Sequence, residues 1–206
     1  MRLKNLTADR EDTVLKEKSM KIVFATGNPH KLKEIQEIAQ GTDIEFILPA
    51  EGFNPIENGT TFEENSLIKA KEAARVSKMI SLADDSGLCA EALNGAPGIH
   101  SARYADTPQA RIDKLLKAIE PYENRKAKFV CAMTLVDENG KLLHTATGIC
   151  EGEIAKNPAG QGGFGYDPVF IVEGKNKTIA ELSDSEKNDI SHRGRALRKI
   201  LALLTR

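Results

Sequence analysis

Met20-Lys21-Ile22-Val23-Phe24-Ala25-Thr26-Gly27-Asn28-Pro29-His30-Lys31-Leu32-Lys33-Glu34-Ile35 is the stretch that decides the fold. Lys21 to Ala25 is an apolar, β-favouring run and reads as a strand. Thr26 and Gly27 turn the chain. Asn28 then suits an N-cap and Pro29 a first helical position. Beyond them Leu32, Ile35, Ile38 and Ala39 recur at helical spacing and form a core-facing stripe, with Gly41 as the stop. Working outward, Ile44 to Leu48 reads as a strand and Gly52 to Gly59 as a loop. Thr61-Phe62-Glu63-Glu64 has the capping-box pattern and opens a helix to about Lys78, with Leu67, Ala70 and Ala74 on one face. Ile80 to Ala83 is a short strand expected to end at Asp84-Asp85-Ser86-Gly87. Leu93 to Tyr104 is loop-like, and Pro108 to Ile119 is a helix. Phe129 to Val136 and Leu142 to Ile149 are strands flanking the hairpin turn Asp137-Glu138-Asn139-Gly140. A Gly-rich loop from Pro158 to Pro168, a strand over Val169 to Val172 and a helix over Ser191 to Leu204 complete the order. Strands and helices alternate and then give way to a hairpin, so the fold class is α/β with a mixed sheet.

The chain has 206 residues, which fits a single domain or one two-lobed domain. Lys and Arg total 29 against 30 Asp and Glu, a net charge of -1. That balance argues against a dedicated nucleic-acid binder, though it permits a local basic pocket. The longest uncharged apolar run, Phe129 to Val136, is far short of the ~20 residues of a membrane span. Residues 1–19 are charged and carry little apolar periodicity or signal-peptide character. They read as a flexible extension, or an upstream start before Met20, with residues 20–206 as the domain. A short surface helix over Thr7 to Lys18 is an equal alternative. Cys89, Cys131 and Cys150 form no CxxC pair and no metal cluster with the four histidines, and a reducing, cytoplasmic setting fits them.

Four constellations carry chemistry. Thr26 to Lys31 joins a strand to a helix N-terminus, where free N–H groups and partial positive charge suit phosphate; an ordinary capped turn is the plain alternative. Asp84 and Asp85, with Glu57, Glu63 and Glu64 nearby in sequence, offer hard oxygen ligands of the kind Mg²⁺ takes together with substrate phosphates. Glu63 and Glu64 also have a routine role as helix N-terminal acids. Ser86 reads as a hydrogen-bond donor to ligand or backbone, or as a turn residue. Gly160 to Pro168 holds enough glycine beside Phe164 and Tyr166 for a flat purine to stack there; a compact structural loop is the alternative. Lys187 and Ser191-His192-Arg193 put cations at a helix N-terminus, against the helix dipole. That placement calls for a compensating anion or ring oxygen unless the face is simply solvated.

Taken in order, Thr26-Gly27-Asn28, Thr61-Phe62-Glu63-Glu64-Asn65, Ala83-Asp84-Asp85-Ser86-Gly87, Gly95-Ala96-Pro97-Gly98-Ile99, Gly163-Phe164-Gly165-Tyr166-Asp167-Pro168 and Ser191-His192-Arg193-Gly194 closely resemble the inosine/xanthosine triphosphate pyrophosphatase family. The resemblance runs from Met20 to about Leu204. It implies an elongated mixed β-sheet flanked by helices, two lobes with a central cleft, and a homodimer. It also implies Mg²⁺-assisted hydrolysis of ITP, dITP or XTP to the monophosphate and pyrophosphate. By the same resemblance Asp85 is the proton acceptor, and Glu57 and Asp85 bind the metal. Thr26, Gly27, Asn28, Pro29, His30, Lys31, Lys69, Ser86, Phe164, Gly165, Tyr166, Asp167, Lys187, His192 and Arg193 bind substrate, Pro29 and His30 through backbone alone. Hypoxanthine and xanthine carry an oxygen at C6 where adenine carries an amino group, so donors on Arg193 or His192 are expected to separate them. A non-catalytic nucleotide sensor is the rival the acids disfavour. A nucleic-acid module on the basic last helix is the rival the charge balance disfavours.

Overall fold

The computed structural model describes residues 19–205, so the expected extension lies outside the described residues apart from Ser19. Six strands form one sheet: β1 (Met20–Phe24), β2 (Ile44–Ile47), β3 (Ser81–Ala90), β4 (Lys126–Val136), β5 (Leu142–Ile154) and β6 (Phe170–Val172), in the order β2-β1-β3-β4-β5-β6. The first three are parallel, joined through α1 (Pro29–Ile38) and α2 (Phe62–Ser77), as helical crossovers require. From β3 onward the pairing is antiparallel. Helices α3 (Pro108–Ile119), α4 (Asp184–Ile190) and α5 (His192–Leu204) complete the layers.

Local signals hold where capping chemistry is strong. Asn28 caps α1, its side chain accepting from His30 N, with Pro29 in the first turn. Thr61 caps α2 by accepting from Glu64 N, but Glu64 reaches back to Thr60 N at 2.6 Å rather than closing the expected box on Thr61. Asp137 N–H and Gly140 N–H close the β4–β5 turn on Lys141 O and Asp137 O.

Two expectations are corrected, and one helix is new. The short strand expected to stop before Asp84 is a ten-residue strand running through Asp84-Asp85-Ser86-Gly87 to Ala90. Acids are disfavoured in strand interiors, which is why the sequence reads as a strand end. Here β1 pairs with β3 only at Ser81 and Leu82, and Ala25 N donates to Leu82 O before the chain leaves for α1. Beyond that point β3 continues beside β4, and its other side faces a cleft. Second, Leu93 to Tyr104 is partly ordered into 3-10 turns at Glu91–Leu93 and Gly98–Arg103, tied to β3 by the bridge Cys89–Pro97. The new helix, α4, goes unread in the sequence, although Ser183 and Glu186 form a full capping box around its start.

The cores lie on both sheet faces and at both ends. Ile22, Phe24, Leu82, Met133, Leu197 and Ile200 pack under α1 and α5, while Val23, Ala25, Ala70, Ala74, Ala83 and Val136 pack under α2. A third cluster, including Leu88, Leu115, Phe129, Tyr166 and Phe170, fills the far end beneath α3. The cleft opens between that end and the α1–α2 end. No helix among the described residues is long and apolar enough to cross a membrane.

Candidate active site

The cleft has a volume of ≈ 630 Å³ and takes its walls from the start of α1, the loop before α2, the middle of β3, the Gly98–Arg103 turn, α3, the Phe164 loop, and the junction of α4 and α5. Side chains alternate across a strand, so adjacent Asp84 and Asp85 face opposite sides of the sheet. Asp84 shares the Leu82 face under α1 and α5. Asp85 shares the Ala83 face under α2. This separates two carboxylates that the sequence places together.

On the first face, Asp84 accepts from Lys31 Nζ at 2.9 Å and from Arg193 Nη2 and Nε at 3.0 and 3.2 Å. Burial alone would raise its pKa, but the Lys31 and Arg193 charges override burial and hold it far below the usual carboxylate range. Arg193 continues to Glu34 at 2.5 Å, Glu34 to Lys187 Nζ at 2.6 Å, and Lys187 to Asp167 at 2.8 Å. A buried chain of alternating charge therefore ties α1, β3, α4, α5 and the Phe164 loop together. The anion that the helix dipole argument demands beside Arg193 is this pair of protein carboxylates, Glu34 and Asp84. The solvated-face alternative fails, because Arg193 and His192 are buried.

On the second face, Lys69 Nζ lies 2.8 Å from Asp85 and 3.1 Å from Glu57. Asn65, fully buried, donates to Asp85 Oδ2 at 3.4 Å and accepts from Gly59 N at 2.9 Å, joining the Glu57 loop to β3. Burial raises the Asp85 pKa, and Lys69 only partly offsets it. Burial would lower Lys69, but Asp85 and Asp84 outweigh it and its pKa rises. Two carboxylates thus converge on one cationic position, an all-oxygen donor set of the kind Mg²⁺ completes with phosphates and water. Among the described residues no cluster of three or more His, Cys, Asp or Glu is placed to hold a metal unaided.

Thr26, Gly27, Asn28 and Lys31 line the cleft, and a Cβ on Gly27 would meet only open space. Pro29 and His30 are off the lining. His30 instead stacks on Phe164 at 5.5 Å. Phe164 is also flanked by Lys187 Nζ at 4.6 Å and Arg193 at 5.6 Å from its ring centre. Gly165, Asp167, Lys187 and His192 complete that wall. Asp167 accepts from Phe164 N, and Gly163 sits at φ +72 with its Cβ position against Asp167, so the loop is structural as well as ligand-facing. Tyr166 lines the cleft but is not a free stacking surface: its ring belongs to a core and its hydroxyl donates to Ser101 O. Ser86 lies within the strand, donating to Asp84 and accepting from Arg193, so its turn-residue reading is excluded. Glu63 and Glu64 lie off the lining, Glu64 engaged in its cap. His192 stacks on Phe129 at 4.8 Å, and its buried Nδ1 has no partner among the described residues. Burial and the Arg193 charge push its pKa well below the usual histidine value. Glu34, Phe53, Arg103 and Arg111 belong to the site or its support but go unread in the sequence, where Asn65 figures only as the end of a motif, without a role. The Glu34 signal is an acid on the apolar side of a helix, one position before Ile35.

A sequence model of the Ham1 family matches residues 22–203. A dITP/XTP pyrophosphatase of Treponema denticola is 49% identical over 188 residues, covering 86% of this chain and 95% of that protein. One from Bacillus cereus is 47% identical, covering 88% and 94%. The solved HAM1 protein of Coxiella burnetii superposes with a TM-score of 0.82 at 46% identity, covering 90% of this chain and 98% of that one. The Staphylococcus aureus Ham1 protein gives 0.80 at 39%, with the same coverage.

Proposed function

The chain belongs to the Ham1 family, and on that premise we propose that it hydrolyses non-standard purine nucleoside triphosphates, ITP, dITP and XTP, to the monophosphate and pyrophosphate. The observation that carries this reading is the division of labour across β3. Asp84 is neutralised and fixed as structure. Asp85, buried and raised in pKa, faces the cleft as a base for water. Water attacks the α-phosphorus and its proton passes to Asp85. The bond to the bridging oxygen breaks, and its electron pair leaves with pyrophosphate.

The remaining side chains orient the substrate. The α1 N-terminus and Lys31 face the phosphates. Lys69 keeps Asp85 and Glu57 together. Glu57 and Asp85 would hold Mg²⁺, which supplies charge neutralisation on the phosphate oxygens. The purine lies against Phe164, with its C6 oxygen toward His192 Nδ1 and the one Arg193 Nη1 hydrogen left beyond its four protein bonds. Residues 20–206 act as one catalytic unit. Family membership and three free cysteines support a homodimer working in a reducing cytoplasm.

The test is pyrophosphate release from ITP, dITP, XTP, ATP and GTP, with Mg²⁺ and with excess EDTA. Selective release from the first three, abolished by EDTA, is expected. Phosphate rather than pyrophosphate as the product, or equal rates on all five, would refute the reading.

A further inference from the structure

The cations lining the cleft fall into two groups. Lys31, Lys69, Lys187 and Arg193 are each paired with at least one carboxylate. Arg103 and Arg111 line the same cleft with no carboxylate within salt-bridge distance among the described residues. Arg103 is exposed at the end of the Gly98–Arg103 turn. Arg111, on the first turn of α3, spends only its Nε, on Ala105 O at 2.9 Å. That bond fixes the guanidinium stem and leaves both terminal nitrogens available.

The turn that carries Arg103 is pressed against the reacting strand. A Cβ on Gly87 would lie 2.2 Å from Gly98 O and 2.6 Å from Ser101 Oγ, and Ser101 Oγ accepts from Leu88 N at 2.9 Å. The position of Arg103 is thus set by backbone contact immediately after Asp85 and Ser86.

We propose that Arg103 and Arg111 form a subsite for the two terminal phosphates of the substrate, and hence for the leaving pyrophosphate. This rests on the hydrolysis proposed above. When the bond between the α-phosphorus and the bridging oxygen breaks, its electron pair stays on that oxygen, so negative charge accumulates on pyrophosphate. Cations already neutralised by Asp84, Asp85, Glu34, Asp167 and Glu57 offset little of it, whereas unpaired guanidiniums can, and their planar forks match phosphate oxygens in pairs. The subsite predicts a preference for triphosphates over diphosphates, since a diphosphate leaves half of it unfilled.

The experiment compares wild type with Arg103→Gln, Arg111→Gln and the double variant. Binding of inorganic pyrophosphate and of IMP is measured by calorimetry, and kcat/KM on ITP, ATP and IDP by product release. Each single variant is expected to lose on the order of 10- to 100-fold in pyrophosphate affinity and in kcat/KM for ITP, the range for one charged hydrogen-bonding group. IMP affinity and the ITP-to-ATP ratio should hold, and the ITP-to-IDP ratio should shrink. Arg111→Lys, which keeps the charge, should recover part of the loss. Unchanged pyrophosphate binding in the double variant overturns the subsite, as does an equal loss for IMP or a changed ITP-to-ATP ratio. Pyrophosphate binding is read without turnover, so wild-type inactivity on ITP would fail the hydrolysis reading and leave the subsite separately decided.

Discussion

At the scale of single residues, the cleft separates groups that hold from groups that react. Asp85→Asn keeps the size of the side chain but removes the proton acceptor. Turnover on ITP should fall by ~10²-fold or more, while nucleotide binding, followed by quenching or calorimetry, survives. Near-normal turnover would locate the base elsewhere. Arg193 behaves differently, because its removal leaves Asp84 and Glu34 buried without their shared partner. Breaking a buried pair from one side costs about 3–5 kcal/mol, so Arg193→Ala should first register as a loss of stability in urea denaturation. A stable Arg193→Ala protein with altered ITP-to-ATP selectivity would instead make Arg193 chiefly a base reader. The sequence points to both residues from local rules: paired acids after an apolar run, and cations at a helix start. It does not reveal that Glu34 answers Arg193, because their bond spans 159 positions and depends on α1 and α5 packing together.

At the scale of elements, β3 is where local reading and tertiary structure part. Asp84 and Asp85 look like a strand terminus, yet the strand continues because each carboxylate meets a cation on its own face, Lys31 and Arg193 on one side and Lys69 on the other. The helices beside it are legible because caps and stripes are properties of neighbouring residues, as at Asn28 and Thr61. The supports of Asp85 are not, since Asn65 and Gly59 look like ordinary helix-start and loop residues until the fold brings them to β3. Gly87 makes a testable case. An alanine there pushes its methyl into Gly98 O and Ser101, with Phe62 at 3.0 Å behind, and two of these three neighbours belong to the turn carrying Arg103. Gly87→Ala should therefore destabilise by about 1–3 kcal/mol, as overpacking does. It should also weaken pyrophosphate binding by displacing Arg103. An unchanged Tm together with unchanged pyrophosphate affinity would show that the turn shifts freely.

At the scale of the whole molecule, the buried charges set how the fold responds to acid. Glu34 and Asp84 have depressed pKa values despite burial, because Arg193 with Lys187 acts on the first and Lys31 with Arg193 on the second. Their contribution is present above the unfolded carboxylate range near pH 4 and is lost as pH falls below it. His192 acts earlier. Its folded pKa is held well below the usual 6.5 by burial and by Arg193, so the unfolded chain takes up its proton while the folded one does not. The unfolded state therefore binds more protons from about pH 6.5 downward, and stability falls with pH in that window by up to about 1.4 kcal/mol per unit. His192 is the buried imidazole, and the declining part of the midrange acid response is assigned to it. Urea unfolding at steps between pH 7.5 and 5 should show a declining free energy for wild type; in His192→Gln that decline should vanish or reverse, because Asp85 and Asp167, raised by burial, take up protons in the folded state first. Both proteins should then lose stability together below about pH 4. A His192→Gln protein with the wild-type slope between pH 6.5 and 5 would place that proton uptake on another group.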